Sequence, residues 1–96
     1  MTRESVELAI SHLYQIDRET LYANNLGRET ALVSTIRYLY WFILKKYFGL
    51  NADTIAKQFN RTPRGVYKGI SQVEWGVQRM KYYSEPYNKI IEAASK

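Results

Sequence analysis

Five side chains between residues 64 and 72 could bond to the edges of nucleic-acid bases. If this stretch is helical, a rotation of 100° per residue puts them opposite or beside an apolar stripe that begins with Val66 and Ile70. Guanidinium, ammonium, hydroxyl and amide groups are the ones that read base edges in the major groove. The predicted base-facing residues are Arg64, Tyr67, Lys68, Ser71 and Gln72. The chemistry expected here is noncovalent recognition of double-stranded DNA.

Catalysis has much less support in this sequence. His12 is the single histidine, and the chain has no cysteine, so thiolate nucleophiles and thiolate metal sites are excluded. No serine or carboxylate pattern surrounds His12. A Gly-rich phosphate loop ending in Lys-Ser or Lys-Thr is also missing. We therefore expect no enzyme activity, no metal, no cofactor and no small-molecule substrate.

The elements that must position the five side chains are two helices joined by a tight turn. Asn60 suits a turn position with positive φ, because Asn tolerates the left-handed region. Thr62 can then cap the second helix, with Pro63 in its first turn, where no amide hydrogen is needed. Ala56 is small enough for the second helix to cross close above it. Ile55 and Phe59 on the first helix should pack against Val66 and Ile70 on the second, as in a helix-turn-helix.

The rest of the chain also reads as helix, with no strand pattern. Six helical stretches are predicted, at about residues 3–13, 17–22, 30–48, 51–59, 63–83 and from 84 onwards. The first should bury Leu8 among its apolar residues, and the third should be central in the bundle and end at Gly49. The fifth carries an apolar stripe of Val66, Ile70, Val73, Val77 and Met80. The expected fold is an all-α bundle of five to six helices, a single domain over residues 1–96 with the helix-turn-helix at about 51–83.

Positive charge is concentrated on one segment of the chain. The net charge is +5, and residues 28–68 hold eight Lys or Arg against only Glu29 and Asp53. A basic field that coincides with a helix-turn-helix is typical of a polyanion binder. The longest apolar run, residues 38–44, is far shorter than the roughly 20 residues of a membrane span. The N-terminus also lacks a signal-peptide pattern, so we expect a cytoplasmic, nucleoid-associated protein without membrane contact.

Over nearly all of its 96 residues the chain resembles the C-terminal DNA-binding domain (domain IV) of the bacterial replication initiator DnaA, which has a Trp-repressor-like fold. The segments that carry the resemblance are 37–44, similar to an arginine-led apolar helix, 49–59, similar to the first motif helix, and 66–74, similar to the body of the recognition helix. Residues 24–29 stand where the family has a basic loop. The resemblance implies that Arg28 enters the minor groove, that Arg37 contacts a backbone phosphate, and that Arg61 is the positive residue before the recognition helix.

The family's base-reading residues are replaced in this chain. Where the family has an acidic residue, a histidine and two threonines, this sequence has Thr62-Pro63-Arg64-Gly65 after a one-residue deletion in the turn. We therefore expect DNA binding without recognition of the usual initiator box. Phosphate contacts are predicted along both motif helices and the third helix, where side chains and helix N-termini can hold the backbone. The predicted phosphate-binding residues are Arg37, Asn51, Lys57, Arg61 and Thr62.

Two functional hypotheses come from the sequence. The first is a sequence-preferring double-stranded DNA-binding protein acting in the control of replication or transcription in a bacterium or phage, a setting that rests on the resemblance. The alternative is a protein-interaction or dimerisation module that keeps the fold without binding DNA. Tyr82, Tyr83 and Tyr87 could then face a partner or a second copy, although packing on the first helix is favoured. The sequence leaves the oligomeric state open and favours a monomer.

Overall fold

The structure, a computed structural model, describes residues 1–23 and 30–96. Within these residues it contains six α-helices and no strands, which confirms the all-α prediction. The helices are α1 (Arg3–Tyr14), α2 (Arg18–Tyr22), α3 (Ala31–Phe48), α4 (Ala52–Phe59), α5 (Pro63–Val77) and α6 (Lys81–Ala94). None of the helices in these two ranges combines the length and the apolar character needed to cross a lipid bilayer.

Helix α3 is the centre of the bundle, as its apolar composition predicts. It packs against α1, α4, α5 and α6, and an unbroken run of six residues, 39–44, is buried along it. The side chain of Thr30 accepts a hydrogen bond from the Val33 amide at its start. Gly49 ends the helix with a φ of 70°, a left-handed conformation that glycine adopts without strain. The other helices are therefore arranged around this central, largely apolar helix.

Helices α1 and α2 begin at side-chain caps, but one apolar residue of α1 does not face the core. Thr2 and Ser5 form a capping box at the start of α1, and Asp17 accepts from the Thr20 amide at the start of α2. The prediction that Leu8 is buried was wrong, because its side chain is 63% exposed. Val6, Ala9 and Ile10 already fill the face of α1 that turns inward, and Leu8 lies about 160° around the helix from Val6 and Ile10 and about 100° from Ala9.

The boundary between the last two helices differs from the prediction. Helix α5 ends at Val77 rather than near residue 83, and α6 begins at Lys81 and continues through Pro86. The backbone amide of Met80 donates to the Gly76 carbonyl at 2.7 Å, which closes the turn between the two helices. Gly76 is buried, and an added Cβ there would overlap the ring of Tyr83. Close packing of Tyr83 on a glycine backbone thus fixes the helix end through a tertiary contact, which the apolar stripe of α5 does not show.

The three tail tyrosines make contacts with α3 and α5 of the bundle. The ring centroid of Tyr87 lies 5.6 Å from that of Phe42 on α3, and its hydroxyl is 3.0 Å from the hydroxyl of Tyr47. Tyr83 packs on Gly76 of α5. Tyr82 remains half exposed, with its hydroxyl 3.0 Å from that of Thr35. The contacts of these three side chains therefore join α6 to α3 and α5.

Candidate nucleic-acid interface

Helices α4 and α5 are joined by a short turn whose caps match the sequence prediction. Asn51 accepts a hydrogen bond from the Thr54 amide at 2.8 Å and begins α4. Asn60 ends α4 with a φ of 54°, and the following amide, that of Arg61, donates to the Ala56 carbonyl at 2.8 Å. Thr62 then accepts from the Gly65 amide at 3.1 Å and begins α5. Each predicted cap in this segment is confirmed.

The two helices bury complementary apolar faces. Ile55, Ala56 and Phe59 of α4 are all at most 2% exposed. Val66, Ile70 and Val73 of α5 are equally buried, at the 4-3 spacing expected for one helical face. Gly69 lets α5 approach α3 closely, since an added Cβ would lie 2.8 Å from Cδ1 of Tyr38 and 3.0 Å from the indole ring of Trp41. The inner half of α5 is therefore held by α3 and α4, and its outer half is left to solvent.

All five predicted base-facing side chains lie on that outer half. Arg64, Tyr67, Lys68, Ser71 and Gln72 are exposed, Tyr67 to 62%. An exposed aromatic side chain close in sequence to two cations indicates a binding surface more strongly than an exposed aliphatic residue would. Gln72 has an intramolecular partner, because its Nε2 donates to the Tyr83 hydroxyl at 2.9 Å. The arrangement can offer several hydrogen-bond donors and one aromatic ring to a ligand that lies along α5.

Among the predicted phosphate-binding residues, Lys57 is exposed on α4 and can reach solvent anions. The side chains of Asn51 and Thr62 are engaged in capping, so their contribution to anion binding would come from the helix N-termini that they begin. Arg61 is partly buried, and its Nη2 donates to the Ala23 carbonyl at 3.0 Å. Arg28, the predicted minor-groove residue, lies outside the described residues.

The prediction that Arg37 contacts phosphate is contradicted by the structure. Its side chain is 1% exposed, with Nε donating to the Leu21 carbonyl at 2.8 Å and Nη2 to the Thr20 carbonyl at 2.9 Å. These carbonyls belong to the last turn of α2, where helix geometry leaves carbonyl groups with spare acceptor capacity, although that of Thr20 also accepts from the Ala23 amide at 3.3 Å. A cation is also favoured there by the helix dipole. Arg37 is therefore a structural residue that fastens α2 to α3.

Basic charge is not gathered on a single surface, although it is concentrated on one segment of the sequence. Lys45 and Lys46, in the last turn of α3, line a groove with Phe42, Glu74 and Gln78. Because Glu74 lies ten residues beyond Arg64, or about 15 Å along the helix axis, this groove is far along α5 from the α4–α5 turn. The exposed cations nearest the α4–α5 turn are Lys57, Arg64 and Lys68. The electrostatic part of the candidate interface therefore rests on fewer charges than the sequence segment carries.

A polar cluster between α1, α2 and α3 was missed at the level of sequence. Glu7, which resembles an ordinary surface residue, accepts hydrogen bonds from the hydroxyls of Tyr22 and Tyr40 and forms an ion pair with Arg18 at 3.2 Å. Arg3 donates to the Tyr22 hydroxyl at 2.8 Å. Burial, and then the hydrogen bond to Glu7, raise the pKa of Tyr40 above its ordinary value. No local pattern could have shown this cluster, because the tyrosine partners of Glu7 are 15 and 33 residues away from it.

Beside this cluster, α1 and α2 enclose an open pocket of about 550 Å³. It is lined by Arg3, Glu4, Glu7, Leu8, Ser11 and Arg18. Two cationic and two anionic side chains balance one another at its surface, so it presents no net charge to a ligand. No group of three or more His, Cys, Asp or Glu residues in the two described ranges could hold a metal ion.

No protein-family model, curated protein or solved structure matches this chain. The class that the structure defines is an all-α helical bundle. The resemblance to the initiator's DNA-binding domain therefore rests on the sequence alone, at residues 37–44, 49–59 and 66–74.

Proposed function

We propose that the protein is a sequence-preferring double-stranded DNA-binding protein in which α4 and α5 act as a helix-turn-helix and α5 enters the major groove. One observation carries the proposal. Five side chains able to bond to bases are exposed on α5, while the opposite face of the same helix is buried against α3 and α4. A helix with its side chains is about 10–12 Å wide, which suits a major groove about 12 Å wide.

The side chains divide between reading and positioning. Arg64, in the first turn of α5, would bond a guanine bidentately, and Gln72 would suit adenine once it leaves the Tyr83 hydroxyl. Lys68, Ser71 and Tyr67 would complete the base-facing set. Lys57 and the N-termini of α4 and α5 would hold phosphates, which set the position of the helix in the groove without carrying sequence information.

The resemblance to the initiator domain extends this proposal to biological role. A protein that keeps the scaffold and changes the residues at the start of the recognition helix would bind a different sequence from the usual initiator box. Control of replication or transcription in a bacterium or phage is the role that this likeness suggests. A minor-groove contact by Arg28 stays a prediction of the resemblance alone.

The experiment is selection of bound sequences from a random duplex library, followed by binding of the selected duplex over a salt series. Counterion release gives a slope of about −0.9 in log K against log salt for each phosphate neutralised. If Lys57 on the backbone and Arg64 and Lys68 within the groove each displace about one counterion, the predicted slope is about −2.7. A slope flatter than about −2, or no enriched sequence, would overturn the proposal and favour the protein-interaction alternative.

A matched pair of charge variants makes the result specific to this surface. Lys57→Ala should weaken binding to all duplexes about equally and reduce the salt slope by about one. Lys89→Ala removes the same charge from an exposed position on α6 and should leave the slope unchanged. Equal effects of the two substitutions would show that binding follows net charge rather than this interface.

A further inference from the structure

The outer face of α5 continues beyond the five proposed base-facing residues to an exposed tryptophan. Trp75 is 54% exposed, whereas Trp41, the other tryptophan, is 2% exposed in the core. At 100° per residue, Trp75 falls midway between Arg64 and Lys68 around the helix. Glu74 is the only acidic residue of α5 and points about 100° away from Trp75. The indole therefore belongs to the same basic face.

A cation is fixed over this indole. The guanidinium carbon of Arg79 lies 5.0 Å from the ring centroid of Trp75, and Nη1 of Arg79 donates to the Trp75 carbonyl at 3.1 Å. The hydrogen bond holds the guanidinium over one face of the ring, and both side chains remain accessible to solvent. An aromatic ring paired with a cation is the combination with which proteins bind the stacked bases and the backbone of single-stranded nucleic acid.

Position along α5 separates this pair from the major-groove residues. Trp75 is eleven residues beyond Arg64, or about 16 Å along the axis, in the last turn of α5. In a helix-turn-helix the N-terminal residues of the recognition helix contact the base edges, so Trp75 would lie beyond the bases that Arg64 reads. The flat faces of bases inside a duplex are covered by their neighbours in the stack, so an indole can stack only on an unpaired base.

We propose that Trp75 and Arg79 bind single-stranded DNA adjoining the duplex site, with an unpaired base stacked on the indole and its phosphate on the guanidinium. This inference rests on the proposed function and names its substrate as a duplex with an adjacent unpaired segment. Lys81, exposed at the start of α6 and two residues beyond Arg79, adds a further positive charge to this part of the chain. Nucleic acid is favoured over a protein partner because the ring is flanked by cations and continues the basic face of α5.

The experiment compares the selected duplex in blunt form with the same duplex carrying six unpaired thymidines at one end or the other. Stacking of one base predicts roughly 5- to 150-fold tighter binding to one of the two overhang duplexes. That duplex should also quench the fluorescence of Trp75 more than the blunt duplex does. Trp75→Phe leaves Trp41 as the sole tryptophan and should abolish the additional quenching while keeping part of the affinity gain, because phenylalanine can still stack.

The decisive variant is Trp75→Ala, which should lose the gain from the overhang and bind the blunt duplex as tightly as the wild type. Arg79→Gln should reduce the gain and its salt dependence. Equal affinity of the wild type for blunt and overhang duplexes would overturn this inference and leave the proposed function intact. Equal weakening of both duplexes by Trp75→Ala would also overturn it, because the indole would then belong to the duplex interface. Failure to bind the blunt duplex at all would instead refute the proposed function.

Discussion

Replacing Arg37 tests the most consequential difference between the sequence prediction and the structure. The resemblance assigns Arg37 to a DNA phosphate, whereas the structure buries it and directs its guanidinium to the carbonyls of Thr20 and Leu21. Arg37→Met is the informative change, since methionine keeps an unbranched stem for packing and removes every hydrogen-bond donor.

The expected loss of stability follows from these two hydrogen bonds. Hydrogen bonds to charged groups contribute about 1.5–3 kcal/mol each, and the buried Leu21 carbonyl would lose its Arg37 donor. Part of this loss is offset because the variant no longer buries a cation. We expect a net decrease of about 2–4 kcal/mol in the free energy of unfolding. In a domain of this size about 4–8 °C in Tm accompanies each kcal/mol, so Tm should fall by about 8–30 °C.

The assay combines thermal melting, followed by circular dichroism, with DNA binding over a salt series at a temperature where both proteins are folded. Arg37→Met should melt lower and keep the wild-type salt slope. Lys57→Ala, the matched change on the proposed DNA face, should do the reverse. The assignment of Arg37 to the core would be wrong if Arg37→Met melted like the wild type and its salt slope fell by about one, as for the loss of a phosphate contact.

Four further predictions concern recognition, packing and pH. Arg64→Ala should cost about 1–3 kcal/mol on the selected duplex and relax preference at one base position, and equal weakening on a scrambled duplex would make Arg64 a phosphate contact instead. Ala56→Leu should lower stability by about 1–3 kcal/mol by overpacking the α4–α5 contact, and an unchanged melting curve would contradict that contact. Gly76→Ala should destabilise by displacing the Tyr83 ring, and combining it with Tyr83→Ala should recover part of the loss if the clash is the cause. Because the folded-state pKa of Tyr40 is raised above the unfolded value of about 10, its contribution is complete below pH 10 and is lost as pH rises further. Urea unfolding between pH 9 and 11 should therefore show a decline that is shallower in Tyr40→Phe by up to about 1.4 kcal/mol per pH unit, and identical slopes would refute this role of Tyr40.

Features decided within a few residues of one another could be predicted from the sequence. Asn60, Thr62 and Pro63 specify the α4–α5 turn through a positive φ, a side-chain cap and a residue that needs no amide hydrogen. Their effect hardly depends on the rest of the protein. The apolar periods of α3 and α5 are equally local, so the central position of one and the two faces of the other follow from spacing alone.

Features decided by distant partners could not be predicted in this way. The end of α5 depends on Tyr83 packing against Gly76, which a helical pattern through residue 83 does not reveal. Glu7 has its tyrosine partners on two other helices. In both places the residue types were visible in the sequence, but the contact that gives them their role exists only in the folded chain.

Arg37 and Arg61 show how the same limit affects the functional interpretation. Both were predicted to hold phosphate, and both donate to carbonyls at the C-terminal end of α2, Arg37 to Thr20 and Leu21 and Arg61 to Ala23. Those carbonyls carry the partial negative charge of a helix C-terminus, so they attract a guanidinium for the same electrostatic reason as a phosphate does. An arginine in a sequence does not reveal which acceptor it will meet. These two connect α2 to α3 and to the α4–α5 turn, and thereby hold in place the turn from which α5 begins.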